Sequence, residues 1–340
     1  MAALQSFWPT LLDVARSMDP DGKIATSVEI LNQYNEILDD IPWTEGNLPT
    51  GHQITLRKSI PVPTWRLLNQ GITPQKSVNG QITETCGILE EFAEIDVDVA
   101  KLNGNTAEWR LNQDRGILEG FNQAFAKALI YGDTTVNPEQ IVGLAPRYYT
   151  VNTTNSTAAV NVIDALGTGN VNTSVWLVGW APMIAEGIYP KGSQAGFLRQ
   201  DLGEETAYDA SNNRLRVYRT RYQWKTGLAI SDYRYVVRIA NIDTTNLQTA
   251  GDTSDTSTNL LKYMSIALDK LFNINMVRPV FYMNNLVRSY LRVKMLNAKN
   301  MFLTLKDYES PTGIQRPTLT FMDYPCRRVD QILNTEARVV

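Results

Sequence analysis

The chain has 340 residues, of which 43% are hydrophobic and 20% are charged. This composition is typical of a folded globular protein with one large or two ordinary domains, and it excludes a disordered or fibrous chain. The formal net charge of −3 argues against a dedicated nucleic-acid-binding protein, which normally presents a basic patch or tail to phosphates.

Cysteine content and hydropathy restrict the cellular context. The two cysteines, Cys86 and Cys326, are too few for a disulfide framework or a zinc site, which favours assembly in a reducing cytoplasm. The N-terminus lacks a secretory pattern. The longest apolar run, 175–185, contains Pro182 and is too short to cross a bilayer, so we expect no membrane association.

Residues 1–45 are predicted to form an N-terminal arm that contains one helix. Thr26 and Glu29 have capping-box spacing. Apolar residues follow at helical spacing, namely Ile30, Leu31, Tyr34, Ile37, Leu38 and Ile41.

Residues 46–104 are predicted to form an extended hairpin loop. The stretch 54–59 begins with apolar–polar alternation, which is typical of a half-buried strand, and Pro61 and Pro63 end it. A second strand-like stretch runs over 82–99, with Ile95, Val97 and Val99 predicted on one face. Two strands joined by a long polar segment indicate a ribbon that projects from the body.

Residues 105–131 carry the strongest helical signal. Asn105 and Glu108 form a capping box, and Gly132 supplies a stop. A helix of this length extends for about 40 Å, which suits a structural spine. One apolar stripe follows the helix, formed by Leu111, Leu118, Phe121, Phe125, Ala128 and Leu129.

The remaining sequence predicts a mixed α+β body. Polar turns over 132–174 precede strand-like segments at 175–180 and 214–230. A polar break at 244–258 is followed by an amphipathic helix over about 260–271. The predicted elements after that helix are a strand at 279–282, a helix near 285–296, and short strands at 318–321 and 326–333.

A catalytic or metal-binding constellation is not evident in the sequence. His52 is the single histidine and lies in a turn-like Thr-Gly-His-Gln stretch, where a solvated loop histidine is the ordinary interpretation. Asp96 and Asp98 share a predicted strand face and are more readily a solvated acidic face than a cation site. No phosphate-binding glycine motif is complete. We therefore predict no cofactor, no metal and no enzymatic activity.

Four closely spaced arginines are the best nucleic-acid candidate in the chain. Arginines and an aromatic residue in alternation grip phosphates and bases in many proteins, but acidic residues at 204–209 make salt bridges the alternative. The four are Arg214, Arg216, Arg219 and Arg221, with Tyr218 among them.

The order of helical arm, projecting hairpin, long capped helix and mixed α/β segment resembles the major capsid proteins of tailed bacteriophages. The residues that carry this resemblance are 54–65 in the loop, Ile130-Tyr131-Gly132-Asp133 at the end of the helix, and Tyr324-Pro325-Cys326-Arg327-Arg328-Val329-Asp330. The resemblance implies an α+β fold of the Hong Kong 97 type and is closest to the short-tailed (podovirus) branch.

That fold implies four parts: an N-terminal arm (1–45), an extended loop (46–104), a peripheral domain with a spine helix at 105–131 (105–245), and an axial domain with a return strand (246–340). In the commoner family pattern the axial helices follow the spine helix closely. Here the strand-rich stretch 171–240 comes first, so we expect a rearranged connectivity with a C-terminal axial domain.

The implied function is a structural head protein that assembles into an icosahedral shell around double-stranded DNA. The implied partners are copies of the same chain in pentamers and hexamers, a scaffold, a portal and a cementing protein, with DNA enclosed without sequence-specific binding. The chain would be made in the host cytoplasm and reside in the virion. A portal, tail or decoration protein is the alternative interpretation, and a mixed α/β enzyme is a weaker one.

The extended loop is the predicted inter-subunit contact. Arg57, Lys58, Trp65 and Lys76 are the candidate contact residues, with Trp65 as an anchor; packing of Trp65 within its own subunit is the alternative. Some members of the family join subunits by a Lys–Asn isopeptide bond, for which Lys58 or Lys76 would supply the amine. No pattern identifies the partner residues, so we expect a shell without covalent crosslinks.

Overall fold

A computed structural model describes residues 33, 35–101, 106–208, 211–249, 260–295, 303–309 and 315–340. The helices are α1 (Ile37–Asp40), α2 (Val97–Lys101), α3 (Thr106–Tyr131), α4 (Thr244–Thr249), α5 (Leu260–Lys270) and α6 (Asn285–Met295). The strands are β1 (Trp43–Glu45), β2 (Gly51–Ser59), β3 (Val78–Thr85), β4 (Gly87–Asp96), β5 (Val162–Asp164), β6 (Asn172–Trp180), β7 (Ala185–Tyr189), β8 (Phe197–Tyr208), β9 (Arg214–Ile230), β10 (Val236–Asp243), β11 (Arg278–Met283), β12 (Leu303–Glu309), β13 (Gln315–Phe321) and β14 (Tyr324–Arg328).

The long helix α3 forms where the apolar stripe predicts it. Phe125, Leu129 and Ile130 are buried in the core of the subunit. The helix ends at Tyr131, and a Cβ atom at the next residue, Gly132, would lie 2.4 Å from both the Ala128 and Ile141 carbonyl oxygens. The backbone approach is thus close enough to require glycine, which explains the stop.

A seven-stranded sheet forms the centre of the molecule, in the order β12-β13-β14-β11-β6-β10-β5. All nine residues of β6 are buried, because this strand lies between β11 and β10 and both of its faces are covered. Such a strand is a continuous apolar run without alternation, which is why 175–180 is recognisable in the sequence.

The two faces of this sheet support two separate cores. Trp176, Val178 and Tyr282 point to the face covered by the end of α3. Leu177 and Phe281, their neighbours along the strands, point to the face covered by α5 and α6. This division follows from the two-residue periodicity of a strand, because successive side chains lie on opposite faces.

A second sheet holds β1, β7, β9 and β4 in that order, and β8 pairs with β9 from Arg214 to Trp224. The 17-residue strand β9 pairs with β4 over its length from Val217 to Thr226 and with β7 near its end. Helix α3 packs against β4 through Phe121, Ile117 and Leu89. This layer of α3, β4, β8 and β9 positions the hairpin formed by β2 and β3.

The projecting ribbon is an antiparallel pair of β2 and β3, in which Ile54 is opposite Ile82. Its second strand is therefore 78–85, and the predicted strand at 82–99 divides at Cys86 into β3 and β4. The strand prediction is wrong for Val97 and Val99, which both lie in α2. Asp96 caps that helix by accepting a hydrogen bond from the Asp98 amide (2.8 Å).

The structure also corrects the predicted location of His52. It lies within β2 opposite Glu84 and is half-buried, whereas the sequence predicts a solvated turn. The pairing with β3 extends back to Gly51, which lies opposite Thr85, so the strand begins three residues earlier than the pattern suggests.

Sheet pairing joins segments on both sides of the domain boundary predicted between 245 and 246. Strand β6 pairs directly with β11, and β11 pairs with β14. The locations of the predicted peripheral and axial domains in a shell stay predictions. The capping box at Thr26 and Glu29, and that at Asn105 and Glu108, lie outside the described residues or side chains.

Candidate inter-subunit surface

The loop between β2 and β3 is the most exposed part of the described chain. Every residue from 57 to 79 is exposed to solvent. Arg57 and Lys58 end strand β2, Lys76 lies on the return segment, and Trp65 stands at full exposure between them. All four predicted contact residues therefore lie on one projecting ribbon, and none of the residues that the structure describes covers Trp65.

The loop also exposes apolar side chains that the sequence reasoning did not single out. They lie on both sides of Trp65, and all five are more than half exposed: Ile60, Val62, Leu67, Leu68 and Ile72. Contiguous exposed apolar surface of this kind marks sites of protein–protein contact. The signal available in the sequence was a set of apolar residues without strand or helix periodicity in a Pro-containing segment.

The loop is held in shape by its own hydrogen bonds. The Val62 amide donates to the Gln75 side chain (3.0 Å), and Arg66 donates to the Gln70 carbonyl (3.2 Å). The Val78 amide donates to Ser59 Oγ (3.2 Å) across the two strands. These bonds link the outgoing and returning segments, so the ribbon is ordered while its side chains stay available.

A buried ion pair anchors the base of the hairpin. Glu84 of β3 is 4% exposed and accepts two hydrogen bonds from Arg147, at 2.5 and 2.7 Å. Arg147 also donates to the carbonyl oxygens of Gly143 and Val142, in the turn that follows α3. Removing one partner of such a pair costs about 3–5 kcal/mol, because the remaining charge stays buried. The ribbon thus projects from a rigid base.

The end of the predicted N-terminal arm is tied to the central sheet by a second buried network. Tyr282 donates to Asp40 Oδ2 (2.7 Å), and Trp180 Nε1 donates to the Tyr282 hydroxyl (2.7 Å). Burial raises the pKa of Asp40 to about 6, although Arg327, with Nε 2.9 Å from Asp40 Oδ2, acts in the opposite direction.

The arginine cluster is paired within the chain. Arg219 bridges Glu94 of β4 and Glu205 of β8, and Arg221 binds Glu90 with an Nε–Oε1 distance of 2.6 Å. Arg216 pairs with Glu204, and the Arg214 guanidinium lies over the ring of Tyr208. These contacts across β4, β9 and β8 are cross-strand pairs that stabilise the sheet, so they favour the salt-bridge interpretation over nucleic-acid binding.

The two thiols are poor nucleophiles at neutral pH. Burial raises the pKa of Cys86 to about 11 and that of Cys326 to about 12, so both stay protonated. Within the part of the chain that the structure describes, no group of three or more His, Cys, Asp or Glu side chains is placed to hold a metal ion. None of the described helices is both long and apolar enough to span a membrane.

Comparison with known proteins relates this architecture to viral shells. The family model for the major capsid protein GP7 matches residues 19–340. A chain of the bacteriophage Epsilon15 structure superposes with a TM-score of 0.78 at 30% identity, and the match covers 100% of this chain and 99% of that one.

Two solved structures are more distant. The capsid of bacteriophage JBD30 matches with a TM-score of 0.47 and 9% identity, over 97% of this chain and 96% of the other. An encapsulin from Synechococcus elongatus PCC 7942 matches with the same TM-score and 10% identity, over 69% and 95%. Curated protein sequences give no match.

The family match over most of the chain and the full-length similarity at 30% identity agree with the fold and the exposed ribbon. The chain belongs to the major capsid protein GP7 family, and it is a structural subunit of a phage capsid with the Hong Kong 97-type fold.

Proposed function

We propose that this subunit builds a closed icosahedral shell of pentamers and hexamers, in which the 57–79 loop lies over a neighbouring copy. The observation that carries the proposal is the complete exposure of this segment together with its apolar content. The residues that the structure describes leave Trp65, Leu67 and Leu68 uncovered. A neighbouring subunit provides the surface that covers them.

The energetic argument follows from burial. An apolar side chain the size of Leu contributes about 1.5–3 kcal/mol when it is fully removed from water. A modest interface per neighbour, repeated by symmetry, therefore suffices for a stable shell. Arg57, Lys58 and Lys76 flank the apolar tip and are proposed to form the polar rim of the contact, where charges guide association more than they add affinity.

The same proposal covers the partners that the shell needs. We infer that the shell encloses double-stranded DNA without reading its sequence, since the net charge is −3 and Arg216, Arg219 and Arg221 are already paired within the subunit. A scaffold, a portal and a cementing protein are proposed as further partners. The unpaired cysteines, Cys86 and Cys326, are compatible with synthesis in the host cytoplasm.

The test is assembly of purified protein followed by electron microscopy. Wild-type chain is expected to form closed shells, and Trp65→Ala is expected to lower the particle yield by about tenfold or more, as for an interface anchor. The melting temperature of the unassembled Trp65→Ala subunit is expected to stay unchanged, because Trp65 is fully exposed.

A matched control is Val136→Ala, which truncates another exposed apolar residue outside the loop. It is expected to assemble normally. The proposal fails if Trp65→Ala assembles like the wild type, or if it removes soluble subunit instead of particles.

A further inference from the structure

A cavity of about 300 Å³ opens at the beginning of the parallel strands β11 and β14. These strands pair from Phe281 and Cys326 onwards, and residues that precede this pairing line the cavity. Two of them, Pro279 and Pro325, have no backbone N–H and cannot donate to a sheet ladder. The prolines therefore favour a space between the two strands in place of a longer ladder.

The walls of the cavity are mainly apolar. Trp180 of β6 and Val280 of β11 are buried and form part of the lining, together with Val277 and the two prolines. Sites for small ligands in proteins are concave and mostly apolar, with a few polar groups that fix the orientation of the ligand, and their volumes begin at about 300 Å³. The cavity has the size and the lining of a small-ligand site.

The charged groups of the lining are unequally paired. Arg327 Nε lies 2.9 Å from Asp40 Oδ2, so these two opposite charges offset each other. Arg278 is exposed, and its guanidinium donates to the backbone carbonyl of Asp40 (3.3 Å). Arg278 forms no ion pair with the side chains that the structure describes. The cavity thus combines apolar walls with one guanidinium that has no carboxylate partner among the described residues.

This combination selects the chemistry of the ligand. A guanidinium presents its N–H donors in a planar fork that matches the two oxygens of a carboxylate. Apolar walls favour an apolar body attached to that carboxylate, because its burial removes apolar surface from water. A doubly charged phosphate fits less well, since the carboxylate of Asp40 lies in the same lining and repels the additional negative charge.

We propose that this cavity binds a small organic acid that carries one carboxylate on an apolar body. The carboxylate pairs with Arg278, and the apolar body occupies the space between Pro279 and Pro325. A ligand in this position contacts β11, β14 and the end of α1 at once. The proposal does not depend on the proposed role of the 57–79 loop, because no residue of that loop lines the cavity.

Asp40 makes the binding dependent on pH. The charged and titratable groups that act on it are Arg327 of β14, Tyr282 and Arg278 of β11, and Asp39 of its own helix. Burial raises the pKa of Asp40 to about 6. Above this pH the ionised carboxylate repels a bound anion, and below it the protonated group does not. The affinity for the ligand is therefore expected to be about fivefold higher at about pH 5.5 than at about pH 7.5.

The first test titrates benzoate into the unassembled full-length subunit and follows the heat of binding. Benzoate is ionised at both pH values and is expected to bind with one molecule per subunit. Benzamide has nearly the same shape without the charge and is expected to bind at least about tenfold more weakly. Inorganic phosphate is expected to bind more weakly than benzoate. Absence of benzoate binding, or equal binding of benzamide or phosphate, contradicts the proposal.

Two variants locate the site. Arg278→Gln changes an exposed side chain, so the melting temperature is expected to stay constant while the affinity for benzoate falls by about tenfold or more. Asp40→Asn is expected to bind at about pH 7.5 as the wild type does at about pH 5.5, without further dependence on pH. Arg292→Gln, an exposed arginine outside the cavity lining, is the matched control and is expected to bind normally. Wild-type affinity in Arg278→Gln overturns the assignment.

The same titration on assembled particles identifies the kind of occupant. Benzoate is expected to bind particles as it binds subunits, because the proposed ligand is a small molecule. Binding to subunits but not to particles shows that a polypeptide fills the cavity in the shell, and this result overturns the small-ligand assignment. Particle yield of Trp65→Ala tests the loop separately, so failure of one proposal leaves the other intact.

Discussion

The exposed loop and the central sheet contain the same kinds of apolar residue and expose them to opposite degrees. Trp176 in β6 is fully buried, while Trp65 in the loop is fully exposed. The side chains of β6 are covered on both faces by elements of the same chain, whereas the loop projects from its base at Glu84 and Arg147. The sheet therefore stabilises the subunit, and the apolar surface of the loop is proposed to serve assembly.

This difference predicts that a Trp→Ala substitution in the sheet lowers the stability of the subunit, whereas one in the loop affects assembly. Trp176→Ala is expected to destabilise the unassembled subunit by about 3–5 kcal/mol, since it removes a large buried side chain between Tyr148 and Arg238. The measurement is urea unfolding followed by circular dichroism. Trp65→Ala serves as the matched control in the same experiment, and equal losses of stability in the two variants would contradict the division of roles.

The buried region was partly predictable from the sequence. The continuous apolar run of β6 and the stripe on α3 identify their elements, because burial on two faces or on one stripe leaves a direct pattern. Strand β8 was missed, since its 12 residues include Asp201, Glu204 and Glu205, which face arginines of neighbouring elements instead of a core. Glu204 and Glu205 pair with arginines of β9, and this pairing depends on the two strands lying side by side, which the local sequence pattern does not show.

The candidate surface was predictable to a smaller degree. The projecting ribbon follows from the position of the loop in the chain order, but the apolar residues on both sides of Trp65 have no strand or helix periodicity that would predict their exposure. Long-range placement, such as that of Glu84 opposite Arg147 across 63 positions, likewise has no local signal.

A pH-dependent stability is expected from the buried region. The pKa of Asp40 is raised from 3.8 to about 6, chiefly by burial, so the folded subunit binds a proton more tightly than the unfolded chain between about pH 4 and 6. The free energy of unfolding therefore decreases as the pH rises through this window, by on the order of 3 kcal/mol at most.

Asp40→Asn tests this effect, because asparagine cannot ionise and still accepts a hydrogen bond from Tyr282. The difference in unfolding free energy, wild type minus variant, is expected to decrease from pH 4 to pH 6.5 in urea titrations. Parallel pH profiles for the two proteins would exclude Asp40 as the source. Other carboxylates near the surface contribute equally to both proteins, so the difference isolates this one group.

The smallest effect on subunit stability is expected for the basic residues of the loop. The triple variant Arg57→Gln, Lys58→Gln and Lys76→Gln changes only exposed side chains, so the unfolding free energy should stay within about 0.5 kcal/mol of wild type. Its effect should appear in the rate of assembly, because exposed charges guide association and salt screens them. Light scattering is expected to show slower assembly of the variant at low ionic strength and a weaker dependence on salt between roughly 0.05 and 0.5 M.

The control for this variant neutralises three exposed basic residues outside the loop, Lys191, Lys262 and Arg292. It makes the same change in net charge, so a slowdown that depends only on total charge would appear in both triple variants. A slowdown confined to the loop variant, with unchanged subunit stability, places the effect on the contact itself. Because the buried sheet is identical in all three proteins, the salt dependence then reports on the ribbon alone.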